Sequence, residues 1–309
     1  MVLKRRRTGR ILVLLLAAGN MGLLPAGAIA DQPQQFTQLT TAEATQNEAL
    51  QRAYALNEQA VALYQQGRYS EAEPFYLESL AIYREQLGER HPEVATSLND
   101  LALLYEAQGR SSEAEPLQLE ALAIYREQLG ERHLLVATSL NNLASLYYAQ
   151  GRYSEAEPLY LEALAIRREQ LGERHLEVAT SLNNLAWLYR AQGRYGEAEP
   201  LYLEALAIVR EQLGERHPQV ATSLDNLAEL YEAQGRYGEA EPLYLEALAI
   251  VREQLGERHP QVATSLDNLA SLYRAQGRYS EAEPLQLDAL AIRREQLGER
   301  HPQVATSLN

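Results

Sequence analysis

Residues 140–165 have the sequence LNNLASLYYAQGRYSEAEPLYLEALA, which predicts two helices joined by a tight turn. In the first helix, apolar side chains recur at i, i+3, i+4 and i+7 and so share one face: Leu140, Leu143, Ala144 and Tyr147. Gly151 follows this stretch, and glycine is the usual residue just past a helix C-terminus. Ser154, with Glu157 three residues later, predicts a capping box at the start of the second helix.

This helix pair recurs every 42 residues from about Leu50 onwards. All six histidines keep the period: His91, His133, His175, His217, His259 and His301. One pair cannot bury its apolar face alone, so such a period indicates stacked units. We therefore predict an all-α array with a continuous core of Leu, Ala and Tyr. We number the units 1 to 6; unit 1 is 50–91, unit 3 is 133–174, unit 4 is 175–216 and unit 5 is 217–258.

The histidines are predicted to be helix N-caps rather than metal ligands. Proline follows the histidine in four units, and proline suits the first position of a helix: Pro92, Pro218, Pro260 and Pro302. Neighbouring helices pack about 8–10 Å apart, whereas zinc needs its ligand nitrogens at about 2 Å. Successive histidines therefore cannot share one ion, and no metal site is predicted.

The pattern resembles a known repeat family. The residues that carry the resemblance are the Leu-x-x-Leu-Ala-x-x-Tyr run from Leu140, the Gly-x-Tyr turn at Gly151, and the Ala-x-x-x-Tyr-x-x-Ala run from Ala156. Together they resemble the tetratricopeptide repeat, and the 42-residue length and the Leu-Gly-x-x-His-Pro junction resemble its kinesin light chain variety, which is abundant in bacterial multi-repeat proteins. The resemblance implies a right-handed solenoid of antiparallel helix pairs. It also implies that the concave face, lined by the first helix of each pair, binds peptides or proteins.

Three segments are predicted along the chain. Residues 1–30 have a basic start, the apolar run ILVLLLAA at 11–18 and an Ala-Ile-Ala site at 28–30, as in a signal peptide cleaved after Ala30. The alternative is a membrane anchor, but glycines and a proline break the run well short of about 20 residues. Residues 31–42 are predicted to be a linker, and 43–309 an array of six helix pairs plus a partial seventh first helix. We expect an exported protein, periplasmic or extracellular, with no stable membrane span after cleavage.

Composition narrows the classes of function. The net charge is −14, and removal of the five basic residues of the leader lowers it to −19, so nucleic acid is an unfavoured partner. There is no cysteine, no Gly-rich phosphate loop and no H-E-x-x-H pair. We therefore predict no enzyme, no catalytic residues and no cofactor. The alternative is the regulatory or sensing region of a larger protein whose C-terminal effector domain is missing, which the unfinished seventh unit motivates.

Candidate binding residues lie at three positions of each first helix, away from its core stripe. Units 4 and 5 differ at only five of 42 sites, and three of those belong to these positions. The predicted groove consists of Asn99, Leu103, Glu106, Asn141, Ser145, Tyr148, Asn183, Trp187, Arg190, Asp225, Glu229, Glu232, Asp267, Ser271 and Arg274. The asparagines can donate and accept at once, which suits an extended peptide backbone. Trp187 predicts a seat for an apolar or aromatic ligand side chain, and the acids of units 5 and 6 predict contacts with basic ligand residues.

Overall fold

The computed structural model describes residues 32–298. This part of the chain consists of twelve α-helices and no strand: α1 Gln32–Gln65, α2 Tyr69–Leu87, α3 Pro92–Ala107, α4 Ser111–Leu129, α5 Leu134–Ala149, α6 Tyr153–Leu171, α7 Leu176–Ala191, α8 Tyr195–Leu213, α9 Pro218–Ala233, α10 Tyr237–Leu255, α11 Pro260–Ala275 and α12 Tyr279–Leu297. The leader at 1–30 and the partial seventh helix lie outside the described residues. The six helix pairs of the all-α prediction are confirmed.

The chain divides into two compact units, Met1–Glu48 and Ala49–Asn309. In the first, the described residues belong to α1; the second contains the rest of α1 and all later helices. Residues 32–42, which the sequence predicts to be a linker, are helical and belong to α1. No glycine interrupts this stretch, and its one proline, Pro33, lies in the first helical turn, where proline is tolerated.

The helix starts are set differently in the two helices of a pair. His133 caps α5 as predicted: its Nδ1 accepts a hydrogen bond from the backbone N–H of Leu135 at 3.1 Å. The capping box predicted for the second helix is wrong. Arg152 is the N-cap of α6 and makes no side-chain cap, while the carboxylate of Glu157 binds the next unit instead.

The core runs without a break through the array, because each first helix is covered on two sides. From α2 to α12, consecutive helices pack against each other, and the odd-numbered helices α5, α7, α9 and α11 also contact one another in sequence. Leucine and alanine at the predicted face of each first helix are buried, as Leu140, Ala144 and Leu182 show at 0 % exposure. Alanine lets the helices approach closely, and leucine fills the space between them.

Arginines at the turns tie neighbouring units together. Each stacks on a tyrosine of its own unit, with its Cζ 3.9–4.0 Å from the ring centroid: Arg110, Arg152, Arg194, Arg236 and Arg278. Each also binds a glutamate of the preceding unit, as Arg194 does to Glu157 at 2.7 Å and Arg236 to Glu199 at 2.8 Å. These side chains remain partly exposed, at 32% for Arg194 and 25% for Glu157, so each pair contributes modest energy alone, but the pattern recurs at every junction.

Candidate functional site

The odd-numbered helices α3 to α11 carry all fifteen candidate groove residues. Most of these side chains are half-buried; Asn99 is buried and Arg274 is exposed. Because α5, α7, α9 and α11 contact one another, the candidates of units 3 to 6 form one continuous face. We call the surface formed by all fifteen residues the odd-helix face.

A ladder of amide hydrogen bonds crosses the odd-helix face. Asn142 Nδ2 donates to Asn99 Oδ1 at 2.8 Å, and Asn184 Nδ2 donates to Asn141 Oδ1 at 2.8 Å. The sequence predicts that these asparagines bind a ligand backbone. In the structure, the carbonyl oxygens of Asn99 and Asn141 accept hydrogen bonds from the next unit. The ladder is interrupted at Asn183, whose Oδ1 is buried without a partner among the described residues.

Side chains of the second helices support the face from behind. The hydroxyl of Tyr160 lies 2.9 Å from Ser145 Oγ, and the hydroxyl of Tyr244 donates to Glu232 Oε2 at 3.0 Å. Gln118 donates to Glu106 in the same way. Each of these residues occupies the same position of its own unit, and so does Tyr202.

Tyr202 is the exception. It is fully buried, and its hydroxyl has no hydrogen-bond partner in the described part of the chain. The positions that supply an oxygen acceptor in units 3 and 5 hold Trp187 and Arg190 in unit 4. Indole and guanidinium groups only donate, so unit 4 cannot satisfy this hydroxyl as its neighbours do.

Three of the four candidate acids of units 5 and 6 have partners within the array. Glu229 forms an ion pair with Arg190 of the preceding unit. Asp267 pairs with Arg293 from the second helix of its own unit. Glu232 accepts from Tyr244 and, at 3.4 Å, from Ser271 Oγ. Asp225 remains, with its Oδ1 buried and without a donor among the described residues.

Burial changes the acidity of two carboxyl groups on this face. Desolvation raises the pKa of Glu106 to about 7. Burial, followed by the negative charge of Glu229, raises the pKa of Asp225 from the usual 3.8 to about 7, although a hydrogen bond from Asn268 opposes the shift. Near neutral pH both groups are therefore partly protonated.

Trp187 is more enclosed than its helical position suggested. Its indole ring is half-buried and packs against the core, as does the ring of Tyr148 in the preceding unit. The indole Nε1 is buried without an acceptor among the described residues.

The described residues contain no group of three or more His, Cys, Asp or Glu side chains that could hold a metal ion. None of the helices described is long and apolar enough to cross a membrane. The groups on the odd-helix face include amides, carboxylates, two guanidinium groups and aromatic rings, which suit recognition by hydrogen bonds, charge and stacking.

Comparison with known proteins identifies the family. The tetratricopeptide repeat model matches residues 51–127, 112–169, 135–211, 188–253, 219–295 and 268–309. The chain belongs to the tetratricopeptide repeat family. A search of curated protein sequences gives no significant match.

Solved structures resemble this tetratricopeptide repeat array. A Podosopora anserina protein described as a kinesin light chain with nearly identical TPR-like repeats is 32% identical, with a TM-score of 0.58, over 67% of this chain and 98% of that one. BtubC (BKLC) from P. vanneervenii is 27% identical, with a TM-score of 0.60, over 83% and 94%. A Rap protein complexed with Competence and Sporulation Factor is 18% identical, with a TM-score of 0.59, over 83% and 73%. The kinesin-light-chain-like repeat type expected from the sequence is confirmed.

Sequence reasoning missed the second layer of the odd-helix face. Tyr160, Tyr202 and Tyr244 fall at core spacing on their helices, so their sequence positions indicated packing alone. The signal available in the sequence was a mismatch: Ser145 becomes Trp187 in the next unit, while the tyrosine of the second helix stays the same. In the structure Tyr160 lies beside Ser145 Oγ, and the hydroxyl of Tyr202 has no partner among the described residues.

Proposed function

We propose that this tetratricopeptide repeat array is a non-enzymatic scaffold that binds a segment of a protein or peptide along the odd-helix face. The observation that supports this proposal is the location of the few differences between nearly identical units. Units 4 and 5 differ at five sites, and three of these lie on this face: Asn183/Asp225, Trp187/Glu229 and Arg190/Glu232. The other two differences, Leu176/Pro218 and Glu177/Gln219, lie at the start of the first helix, whereas the second helices of the two units are identical, including Leu203 and Leu245, each 44% exposed.

Neutral drift would scatter such differences over all exposed positions. Their concentration on one face supports selection for what that face contacts. The composition supports the same reading, since tryptophan, tyrosine and arginine are enriched at protein interfaces. Family membership is consistent with it, and one solved structure of the same fold is a complex with Competence and Sporulation Factor.

The ligand we propose has an apolar or aromatic side chain that seats beside Trp187 and Tyr148 of units 3 and 4. Basic ligand residues then extend toward units 5 and 6, where Asp225 and Glu232 lack a cation among the described residues. The acidic charge of the whole chain attracts such a ligand and opposes phosphate backbones.

The test is capture of partners from extract by the full chain and by matched variants. Trp187→Ala should weaken binding of a genuine partner by about thirtyfold, since buried tryptophan contacts commonly cost 2 kcal/mol or more. Leu203→Ala, in the same unit but on the second helix, should change nothing.

Glu232→Gln keeps an acceptor for Tyr244 and removes one charge, so its effect should be smaller and greater at low salt than at high salt. A partner that binds Trp187→Ala as well as the unchanged chain would exclude this face as the binding surface.

A further inference from the structure

The junction between units 4 and 5 contains several buried polar atoms with no partner. Within the described residues, Asn183 Oδ1, Asp225 Oδ1 and the hydroxyl of Tyr202 all lack a hydrogen bond. All three are oxygen atoms that can accept a hydrogen bond. Buried polar groups in proteins are normally satisfied, so a group of unmet acceptors needs an explanation.

These unpaired atoms lie at one junction of the array. The amide ladder is intact between units 2 and 3 and between units 3 and 4, and it fails at Asn183, where it would pass to unit 5. Tyr202 is 0% exposed, and the side chains that act on its hydroxyl include Arg190 and Glu229, which bridge the same two units. Independent observations on α7, α8 and α9 therefore meet at one place.

The unmet charge at this place is negative. Glu229 has Arg190 and Asp267 has Arg293, whereas no described cation pairs with Asp225. A carboxylate in such surroundings is stabilised by a cation that also donates hydrogen bonds, because both the charge and the lone pairs are then satisfied.

We propose that the junction of α7 and α9 binds the guanidinium group of an arginine side chain of the ligand, with Asp225 and Asn183 as acceptors and the indole of Trp187 as the stacking surface. This inference rests on the function proposed above. Guanidinium fits better than ammonium because it is planar, stacks on aromatic rings and presents several N–H donors in a fixed fork.

Binding requires a side-chain rearrangement. The acceptor atoms are covered in this conformation, and the indole of Trp187 is half-buried beside them. Rotation of interface side chains on binding is common, so we propose that rotation of the Trp187 indole uncovers these acceptor atoms. Trp187 is the one tryptophan of the chain, and its signal therefore reports on this site alone.

The charged and titratable groups around Asp225 set the pH dependence. They are Glu229 on α9, Tyr244 on α10 and, through its bond to Glu229, Arg190 on α7; α11 contributes the neutral Asn268. Because burial raises the pKa of Asp225 to about 7, the carboxylate is the minor form at pH 6 and the major form at pH 8. Affinity for a cation should therefore rise about tenfold from pH 6 to pH 8.

The probe is N-acetyl-arginine N-methylamide, with the citrulline and lysine analogues as uncharged and ammonium controls. We titrate each against the full chain at low salt and follow the Trp187 fluorescence and its indole ¹H–¹⁵N resonance. The arginine probe should give a saturable change with a Kd on the order of 1 mM, tighter at pH 8 than at pH 6. Equal binding of citrulline or lysine, or no binding, would overturn the assignment.

Two variants complete the test. Asp225→Asn restores the residue type found in units 2 to 4, so it should fold, and it should lose at least tenfold in affinity together with the pH dependence. Asp267→Asn, at the same position one unit later, should bind the probe normally. If a captured partner loses binding with Trp187→Ala but not with Asp225→Asn, the arginine site is wrong and the proposed function stands. If neither variant matters, both are wrong.

Discussion

Neutralising Asp225 should stabilise the array at neutral and alkaline pH. Folding buries this carboxyl group and raises its pKa from 3.8 to about 7. Between these values the folded state binds more protons than the unfolded state, so stability falls as the pH rises. The penalty is absent below about pH 4, grows up to about pH 7 and is constant above it.

The size of the effect follows from the same shift. A difference of 1.36 kcal/mol for each pH unit gives a ceiling of about 4 kcal/mol at pH 8. Local relaxation and water penetration reduce such ceilings, so we expect Asp225→Asn to gain about 2 kcal/mol at pH 8 and almost nothing at pH 4. The substitution is sterically matched, because Asn141 and Asn183 occupy the same position in units 3 and 4.

Urea unfolding at several pH values measures this gain, with circular dichroism for the whole array and Trp187 fluorescence for the region next to Asp225. Asp267→Asn is the control, since it removes the partner of Arg293 and should not stabilise at any pH. Equal stability of Asp225→Asn and the unchanged chain at pH 8, or a gain of the same size at pH 4, would refute the reasoning. A stabilised variant that loses arginine binding would show that the array carries this carboxylate for recognition and not for stability.

Further predictions concern single groups and the termini. Tyr202→Phe should leave stability unchanged or raise it by up to about 1 kcal/mol, since the hydroxyl has no partner among the described residues. Tyr244→Phe should lose about 1–2 kcal/mol, because it removes the hydrogen bond to Glu232, and thermal unfolding of both variants measures the difference. We expect export with cleavage after Ala30, so mass spectrometry of the mature protein should find Asp31 first, and an intact leader on the soluble protein would contradict this. Partner binding should not require a free C-terminal carboxylate, which amidated ligand peptides would test, because neutral threonines stand early in the first helices: Thr96, Thr138, Thr180, Thr222 and Thr264.

The features that sequence could predict are those fixed within one unit. The apolar spacing from Leu140 to Tyr147 determines the buried face of α5, and the histidine before each first helix determines its N-cap, as at His133. Both depend on residues within two turns of each other. The end of α5 before Gly151 follows from local backbone preference in the same way, since this glycine has φ +74°.

Other features, which sequence could not predict, depend on contacts with the neighbouring unit. Glu157 matches a capping box locally, yet Arg194 of the next unit offers it a charged partner at 2.7 Å. Glu229 was predicted to attract a ligand, but Arg190 reaches it from the preceding unit. The position of a residue along a helix determines the face on which its side chain lies. Only the stacking of units determines which residue of the neighbouring unit it contacts.

The ion pairs between a turn arginine and a glutamate of the preceding unit allow the number of repeats to change. Each junction uses the same arginine and glutamate, so removal of residues 175–216 would bring Arg236 to Glu157 in place of Arg194. Unequal recombination between copies of the repeat could thus add or delete whole units and keep this arginine–glutamate bridge at every junction. Differences such as Trp187 and Arg190 would then move as cassettes, and new binding surfaces could be assembled by reordering units rather than by accumulating point mutations.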